Sequence, residues 1–263
     1  MIKLTSKENS EIKRLTCLLT SRKEREKTGL FVVEGLRIAI DAAEAGAGVE
    51  TAFVSETALA KHAEECQRII SLADRVFEVS DQLAGRIGDT KTPQGVFCIC
   101  RKPQTDLSAF DGKGRYIMLS SLQDPGNVGT VIRTACTLGL TGVILSADCP
   151  DVYSPKVLRS TMGGVFSIPL WVTNNLPAAM EQLREGGCLV AAAALTDDAQ
   201  PISDSNMQGV GCVAIGNEGN GLSREMIDAC DRCIILPMAR AGQSLNAGVA
   251  ASIFMWELTK GRN

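Results

Sequence analysis

The chain has 263 residues, 45% of them hydrophobic, with 27 Lys and Arg against 30 Asp and Glu and a single histidine. That length supplies one large or two small domains with buried cores, and its longest apolar stretches, such as 188–195, fall far short of the roughly 20 residues a membrane helix needs. The solitary His62, set in a polar helical pattern, reads as a solvated side chain and argues against Ser-His-Asp hydrolysis, histidine acid–base work and three-histidine metal sites.

The N-terminus has neither an apolar signal core nor a small-residue cleavage site, so a cytoplasmic location is expected. Residues 1–37 hold nine Lys or Arg against five Asp or Glu, about +4, leaving about −7 for the rest. Such asymmetry marks either a polyanion-facing arm or an ordinary solvated helix, because Lys23-Glu24-Arg25-Glu26-Lys27 alternates in sign. A helix capped by Asn9 runs through Ile12, Leu15, Leu18 and Leu19 at helical spacing. Phe31 to Glu34 reads as a strand, Gly35 to Ala45 as a helix, Thr51 to Val54 as a strand, Ala58 to Leu72 as a helix and Arg75 to Val79 as a strand. Gly95 to Cys100 closes an α/β unit of about 100 residues, within the usual domain range.

Arg101 to Asp106 is polar, contains a proline and lacks periodicity, so a linker starts there. The division expected is a domain over 1–102, a linker over 103–114 and a second domain over 115–263. Strands of the second domain are expected at Tyr116 to Ser120, Gly142 to Ser146, Cys188 to Ala194, Gly211 to Ile215 and Cys233 to Leu236, mostly the continuous apolar runs of a parallel sheet. Helices fit over Val128 to Leu138, Leu176 to Glu185, Ser223 to Ala229 and Asn246 to Thr259. The ten cysteines are scattered through apolar segments and read as buried free thiols; Cys230-x-x-Cys233 lacks a second ligand pair, so no metal is expected.

Three loops follow apolar runs and carry the small and amide residues that let a backbone approach a ligand. The first, Gln123-Asp124-Pro125-Gly126-Asn127-Val128-Gly129, precedes a helix whose first full turn should carry Arg133; Asn127 can cap that helix or hold a ligand, and a guanidinium there suits a phosphate. The second, Ile215 to Ser223, has three glycines and two asparagines around one carboxylate, Glu218, and matches neither a phosphate-binding loop nor a dinucleotide fingerprint. The third places Pro237, Arg240, Gly242, Gln243, Ser244 and Asn246 before the small-residue helix that starts Ala247-Gly248, which can also pack closely as core or dimer face. Loops of this kind sit at the carboxyl ends of strands in open α/β sheets, and the fold should gather them.

Together, Asn127-x-Gly129-x-x-x-Arg133, Ile215-Gly216-Asn217-Glu218-Gly219-x-Gly221-Leu222-Ser223 and Leu236-Pro237-Met238 with Ser244-Leu245-Asn246 resemble the three motifs of the SpoU/TrmH family of RNA 2′-O-ribose methyltransferases, in the SPOUT superfamily. Pro155 to Gly164 is similar to the family's intermediate segment. Asn9, Lys13, Lys23 with Arg25, Phe31 to Gly35 with Arg37, and Thr92-Pro93-Gln94-Gly95 resemble the substrate-binding domain fused to many members. The resemblance implies a small N-terminal α/β RNA-binding domain, a C-terminal α/β trefoil-knot domain with a parallel sheet, and a homodimer formed through the C-terminal domain. It further implies S-adenosyl-L-methionine as cofactor on Gly216, Ile235, Leu236, Ser244 and Leu245, a catalytic pocket of Asn127, Arg133, Glu218 and Asn246, and RNA contacts from Lys13, Lys23, Arg25, Arg37 and Arg159. Where the family usually has valine and serine after Ser-Leu-Asn, this chain has Ala247 and Gly248.

Methyl transfer from a sulfonium needs the ribose hydroxyl in line with the methyl group and its developing charge stabilised. Arg133 could activate the hydroxyl as a base, or orient a phosphate and stabilise the alkoxide, since arginine stays protonated in water. Glu218 could accept the proton or orient Arg133. Ribosomal RNA is the expected substrate, with transfer RNA, or a non-catalytic RNA-binding dimer of the same fold, as the alternatives.

Overall fold

The structure, a computed structural model, describes every residue except 89, 91, 92, 104–111, 204, 205, 208, 240–243 and 261–263. Most of the expected linker, together with Thr92, Arg240, Gly242 and Gln243, therefore lies outside the described residues. The chain forms two compact units, one of Met1–Gln104 with Asp151–Phe166 and one of Thr105–Pro150 with Ser167–Asn263.

The first unit begins with β1 (Ile2–Leu4), α1 (Ser10–Thr20), α2 (Arg22–Thr28), β2 (Leu30–Glu34), α3 (Leu36–Glu44) and β3 (Val49–Ser55). It continues through α4 (Glu56–Lys61), α5 (Ala63–Leu72), β4 (Arg75–Val79), α6 (Asp81–Ile87) and β5 (Val96–Arg101). The sheet order is β1-β4-β3-β5-β2, with β5 antiparallel to both β3 and β2. Asn9 caps α1 through Glu11 N at 2.9 Å, and the spacing of Ile12, Leu15 and Leu18 delivers them into the core with Val32, Phe53 and Phe97. The single helix expected over Ala58 to Leu72 is two helices, broken where His62 leaves helical geometry at φ −134° and ψ 48°.

The second unit holds β6 (Tyr116–Leu119), α7 (Pro125–Thr137), β7 (Gly142–Ser146), β8 (Leu170–Thr173), α9 (Leu176–Glu185) and β9 (Leu189–Ala193). Then come β10 (Gln200–Pro201), β11 (Val210–Ile215), α10 (Arg224–Asp228), β12 (Arg232–Ile235) and α11 (Ala247–Thr259). Its seven strands are all parallel in the order β10-β12-β9-β11-β6-β7-β8, so the strands beside one another at the centre come from remote parts of the chain. Tyr116, Met118, Cys212 and Ala214 pack with Met180 and Leu183 of α9 and Met226 of α10 on one face, while α7 and α11 pack together and against β7 and β11. Helices on both faces explain why the central strands are apolar at every position.

Between β7 and β8 lies α8 (Pro155–Thr161). The sequence reading groups this stretch with the second domain, whereas Asp151–Phe166 belongs by its packing to the first unit. The reason is an aromatic and ionic lock. Phe31 has the ring of Tyr153 at 4.6 Å and that of Phe166 at 6.2 Å, and Arg25 Nε donates to Asp151 at 2.7 Å.

Candidate active site

Helix α7 starts three residues earlier than expected because Asp124, not Asn127, caps it: the Asp124 carboxylate accepts from Gly126 N and Asn127 N, and Pro125 occupies the first turn where no donor is missed. Asn127 is left free for another use. Its Nδ2 donates to Glu218 Oε1 at 2.8 Å, and its Oδ1 accepts from Asn246 Nδ2 at 2.9 Å. Asn246 Oδ1 in turn caps α11 by accepting from Val249 N at 3.2 Å. The orientation of each amide follows from its neighbours: a carboxylate only accepts, so Asn127 must present its NH2 to Glu218 and its oxygen to Asn246. One row of side chains thus joins the three loops.

Glu218 is held from a second side, accepting from Gln123 N at 2.9 Å and Asp124 N at 3.1 Å. Burial would raise its carboxyl, but these hydrogen bonds, led by that of Asn127, outweigh it and hold the group below the usual carboxylate range. The carboxylate therefore stays ionised, with two donors on Oε1 and one on Oε2. That is an anchor for the loop and a poor proton acceptor. The turn carrying it is closed by Asn217, whose Oδ1 accepts from Gly219 N at 2.8 Å and whose backbone pairs with Gly221.

Gly216 has a local reason to be glycine. A Cβ there would lie 2.1 Å from the carbonyl carbon of Gly221 and 2.2 Å from Leu222 N. Gly248, in the first turn of α11, stands beside the amide row, with a Cβ position 3.2 Å from Asn246 Oδ1 and 3.4 Å from Asn127 Oδ1. The serine usual in the family would press on both.

Gly216 follows the end of β11, and Ile235 and Leu236, half-buried, end and follow β12; β9 lies between these two strands. Ser244 and Leu245 precede α11 and are exposed. An adenosyl group fits this set: apolar side chains can flank its planar base, and strand-end backbone and the Ser244 hydroxyl can meet its polar edge. Ala194, Leu195 and Thr196 follow the end of β9, the strand between β11 and β12. Sequence reasoning passed over them, because an alanine run ahead of a polar turn reads as core and loop alone.

Arg133 stands apart from this row. It is the ninth residue of α7, two turns in and not on the first turn as expected, and about 240° around the helix from Asn127 at 100° per residue. It is exposed, and among the described residues none pairs with it. Glu218 does not orient it.

The five expected RNA contacts all fall in the first unit. Lys13 pairs with Glu8 at 2.7 Å and Arg37 with Asp41 at 3.2 Å, both at the surface, and Lys23 and Arg159 are exposed. Arg25 departs from the expectation. It is 4% exposed, and besides Asp151 it donates through one NH1 to Leu18 O at 2.7 Å and Leu19 O at 3.2 Å, closing the end of α1. A guanidinium used in this way has no face left for RNA.

The parallel sheet carries a hydrogen-bonded row of Glu218, Asn127 and Asn246 that joins its motif loops, and comparison with known proteins assigns the class, a SPOUT methyltransferase. Residues 114–256 match the SpoU rRNA Methylase family and residues 9–98 match the MRM3-like substrate binding domain. The 23S rRNA (guanosine(2553)-2′-O)-methyltransferase RlmP of Bacillus subtilis is 30% identical over 98% of this chain and 99% of its own length. A 23S rRNA (uridine(2479)-2′-O)-methyltransferase of Streptomyces viridochromogenes is 28% identical over 99% of this chain and 92% of its own. Among solved structures, an AdoMet-bound rRNA methyltransferase from Sinorhizobium meliloti superposes with a TM-score of 0.85 at 28% identity, covering 97% of this chain and 96% of that one. The chain belongs to the SpoU rRNA methylase family, whose methyl donor is S-adenosylmethionine.

Proposed function

We propose that this protein transfers the methyl group of S-adenosylmethionine to a ribose 2′-hydroxyl of ribosomal RNA in the cytoplasm, acting as a homodimer whose second unit carries the trefoil knot of its family. The observation that carries this reading is the Glu218–Asn127–Asn246 row, which ties the three motif loops into one group at the carboxyl ends of parallel strands. Relatives of nearly equal length act on 23S rRNA, which favours ribosomal over transfer RNA.

Gly216, Ile235, Leu236, Ser244 and Leu245 would hold the cofactor, which supplies an electrophilic methyl group. Asn127 and Asn246 present fixed amides beside it, set by their own hydrogen bonds before substrate arrives, so little reorganisation is left to the reaction. Glu218 holds the loops together as an anion. The exposed guanidinium of Arg133 takes a phosphate of the RNA and stabilises charge on the 2′-oxygen as the methyl group leaves the sulfonium sulfur and the hydroxyl proton passes to solvent water, because Glu218, held below the usual carboxylate range, is a poor proton acceptor. Lys13, Lys23, Arg37 and Arg159 provide a salt-sensitive grip on the RNA backbone. The dimer is supported by α11, which leaves Val249, Ile253 and Trp256 exposed at spacings of four and three residues, with Trp256 57% exposed.

The deciding experiment maps 2′-O-methyl positions in ribosomal and transfer RNA from cells with and without the gene, beside a binding titration of S-adenosylmethionine. One ribosomal position that loses its methyl group on deletion is the expected result. A missing transfer RNA methyl group would transfer the assignment to that substrate, and cofactor binding with no RNA position changed would leave a non-catalytic RNA-binding dimer.

A further inference from the structure

Ser121 lies just beyond β6 in the left-handed region at φ 56°, one of two non-glycine residues with positive φ among those described. Serine enters that region at a steric cost that glycine does not bear, so something must hold it there. Two hydrogen bonds do, and a third braces their acceptors. Ser121 N donates to Ser146 Oγ at 2.8 Å, Ser121 Oγ donates to Asp148 Oδ2 at 2.6 Å, and Ser146 Oγ donates to Asp148 Oδ1. Both hydroxyls hold the Asp148 carboxyl below its usual range, in keeping with an ionised acceptor.

The conformation aims the Ser121 carbonyl at the motif loops. It accepts from Asn217 Nδ2 at 2.8 Å and from Gln123 Nε2 at 3.0 Å. Asn217 Oδ1 fixes the amides of Gly219 and Asn220, the turn between them carries Glu218, and Glu218 reaches back to Gln123 N and Asp124 N. The hydrogen bonds close a ring through the loops after β6 and β11, with the loop after β7 as its outer brace. Asp148 belongs to none of the three motifs, and its side chain is linked to the Glu218–Asn127–Asn246 row by way of Ser121.

We infer that Ser121 and Asp148 are positioning residues, a clasp that holds Ser121 left-handed and thereby fixes the Glu218 turn against the start of α7 for methyl transfer. The inference rests on the methyltransferase reading above. Without the carboxylate, Ser121 should relax toward ordinary backbone geometry and release Asn217, while a glycine at 121 should keep the conformation unaided.

The test compares wild type, Asp148→Ala and the double variant Asp148→Ala with Ser121→Gly. Two readouts are taken: amide hydrogen exchange at Gln123, Asp124, Gly219 and Asn220, and steady-state methyl transfer to an unmodified large-subunit ribosomal RNA transcript. Asp148→Ala should lose about tenfold in protection at those amides and about fivefold or more in kcat, with the KM for RNA within about twofold and the thermal midpoint little changed. The double variant should regain most of both. Unchanged protection in Asp148→Ala, or a double variant no better than the single one, overturns the clasp; altered protection with unaltered kcat overturns its part in the reaction. A wild-type chain that binds cofactor yet methylates no RNA overturns the functional reading instead, and the exchange pattern then still decides for or against the clasp.

Discussion

Asn246 donates to Asn127 at 2.9 Å across 119 residues of chain, and in doing so ties the cap of α11 to the first turn of α7. Asn127 can accept that bond only because its other end is committed to Glu218. Replacing Asn127 with Asp removes the donor and sets a carboxylate where Glu218 expects an N–H. The expected cost is about 1–3 kcal/mol of stability, with methyl transfer lost. Asn127→Ala, which removes the donor without adding charge, should lose activity with less effect on the melting temperature. An Asn127→Asp protein that melts and turns over like wild type would show the row to be dispensable.

Glu218 gives a pH signature. Its carboxyl is shifted downward in the folded chain from a usual value of 4.5. The stability it contributes is then fully present above the unfolded pKa and is lost as pH falls through 4.5 toward the lower folded value. Thermal melts of wild type and Glu218→Gln should differ at pH 7 and converge in acid. A gap that stays constant from neutral to acid pH would remove ionic anchoring from the account.

Much of this site can be read along the chain, and the failures have physical causes. The central strands declare themselves because a parallel sheet covered on both sides demands apolar residues at every position. Leu170–Thr173, four residues between Pro169 and a polar turn, carries no such length and was not anticipated as β8. Helix α2 is charged at every position but Thr28, so hydrophobic periodicity says nothing; its signals are the caps, Ser21 accepting from Glu24 N and Gly29 at φ 67°. Asn127, Glu218 and Asn246 are conspicuous as amides and acid in glycine-rich loops. Which partner each chooses depends on strand order, and strand order is not local. Arg25 follows the same rule: the resemblance implies an RNA contact beside Lys23, but its burial depends on the end of α1 and on the return of the chain at Asp151.

Arg25 accordingly separates stability from binding. Arg25→Ala leaves Asp151, whose side chain is 9% exposed, without its cation. Breaking a buried pair in this way costs about 3–5 kcal/mol, so the first unit should melt early and any loss of RNA affinity should track its unfolding. Lys23→Ala, two residues away and exposed, should leave the melt unchanged and weaken RNA binding modestly, with a shallower salt dependence. An Arg25→Ala chain with full stability and a specific RNA-binding defect would restore the direct contact.

Trp256 tests the assembly. Val249, Ile253 and Trp256 form an exposed apolar row on a helix whose opposite side, through Ala251, Met255 and Leu258, is already buried. Trp256→Glu should shift sedimentation from dimer to monomer at micromolar concentration. If wild type itself sediments as a monomer, the row has some other use.

Arg133 is the sharpest test of chemistry, because its surroundings predict a clean separation of effects. It is exposed on α7 and its side chain pairs with none of the described residues, so Arg133→Ala should leave stability within about 0.5 kcal/mol of wild type. Cofactor affinity should hold within a few-fold, since the residues proposed to hold the cofactor lie after β11 and β12 and just before α11, outside α7. Methyl transfer should nevertheless vanish, and Arg133→Lys should recover part of it, because an ammonium keeps the charge but not the two-pronged grip on phosphate. If Arg133→Ala weakens S-adenosylmethionine binding as much as it weakens turnover, the guanidinium acts on the cofactor and its assignment to the RNA falls.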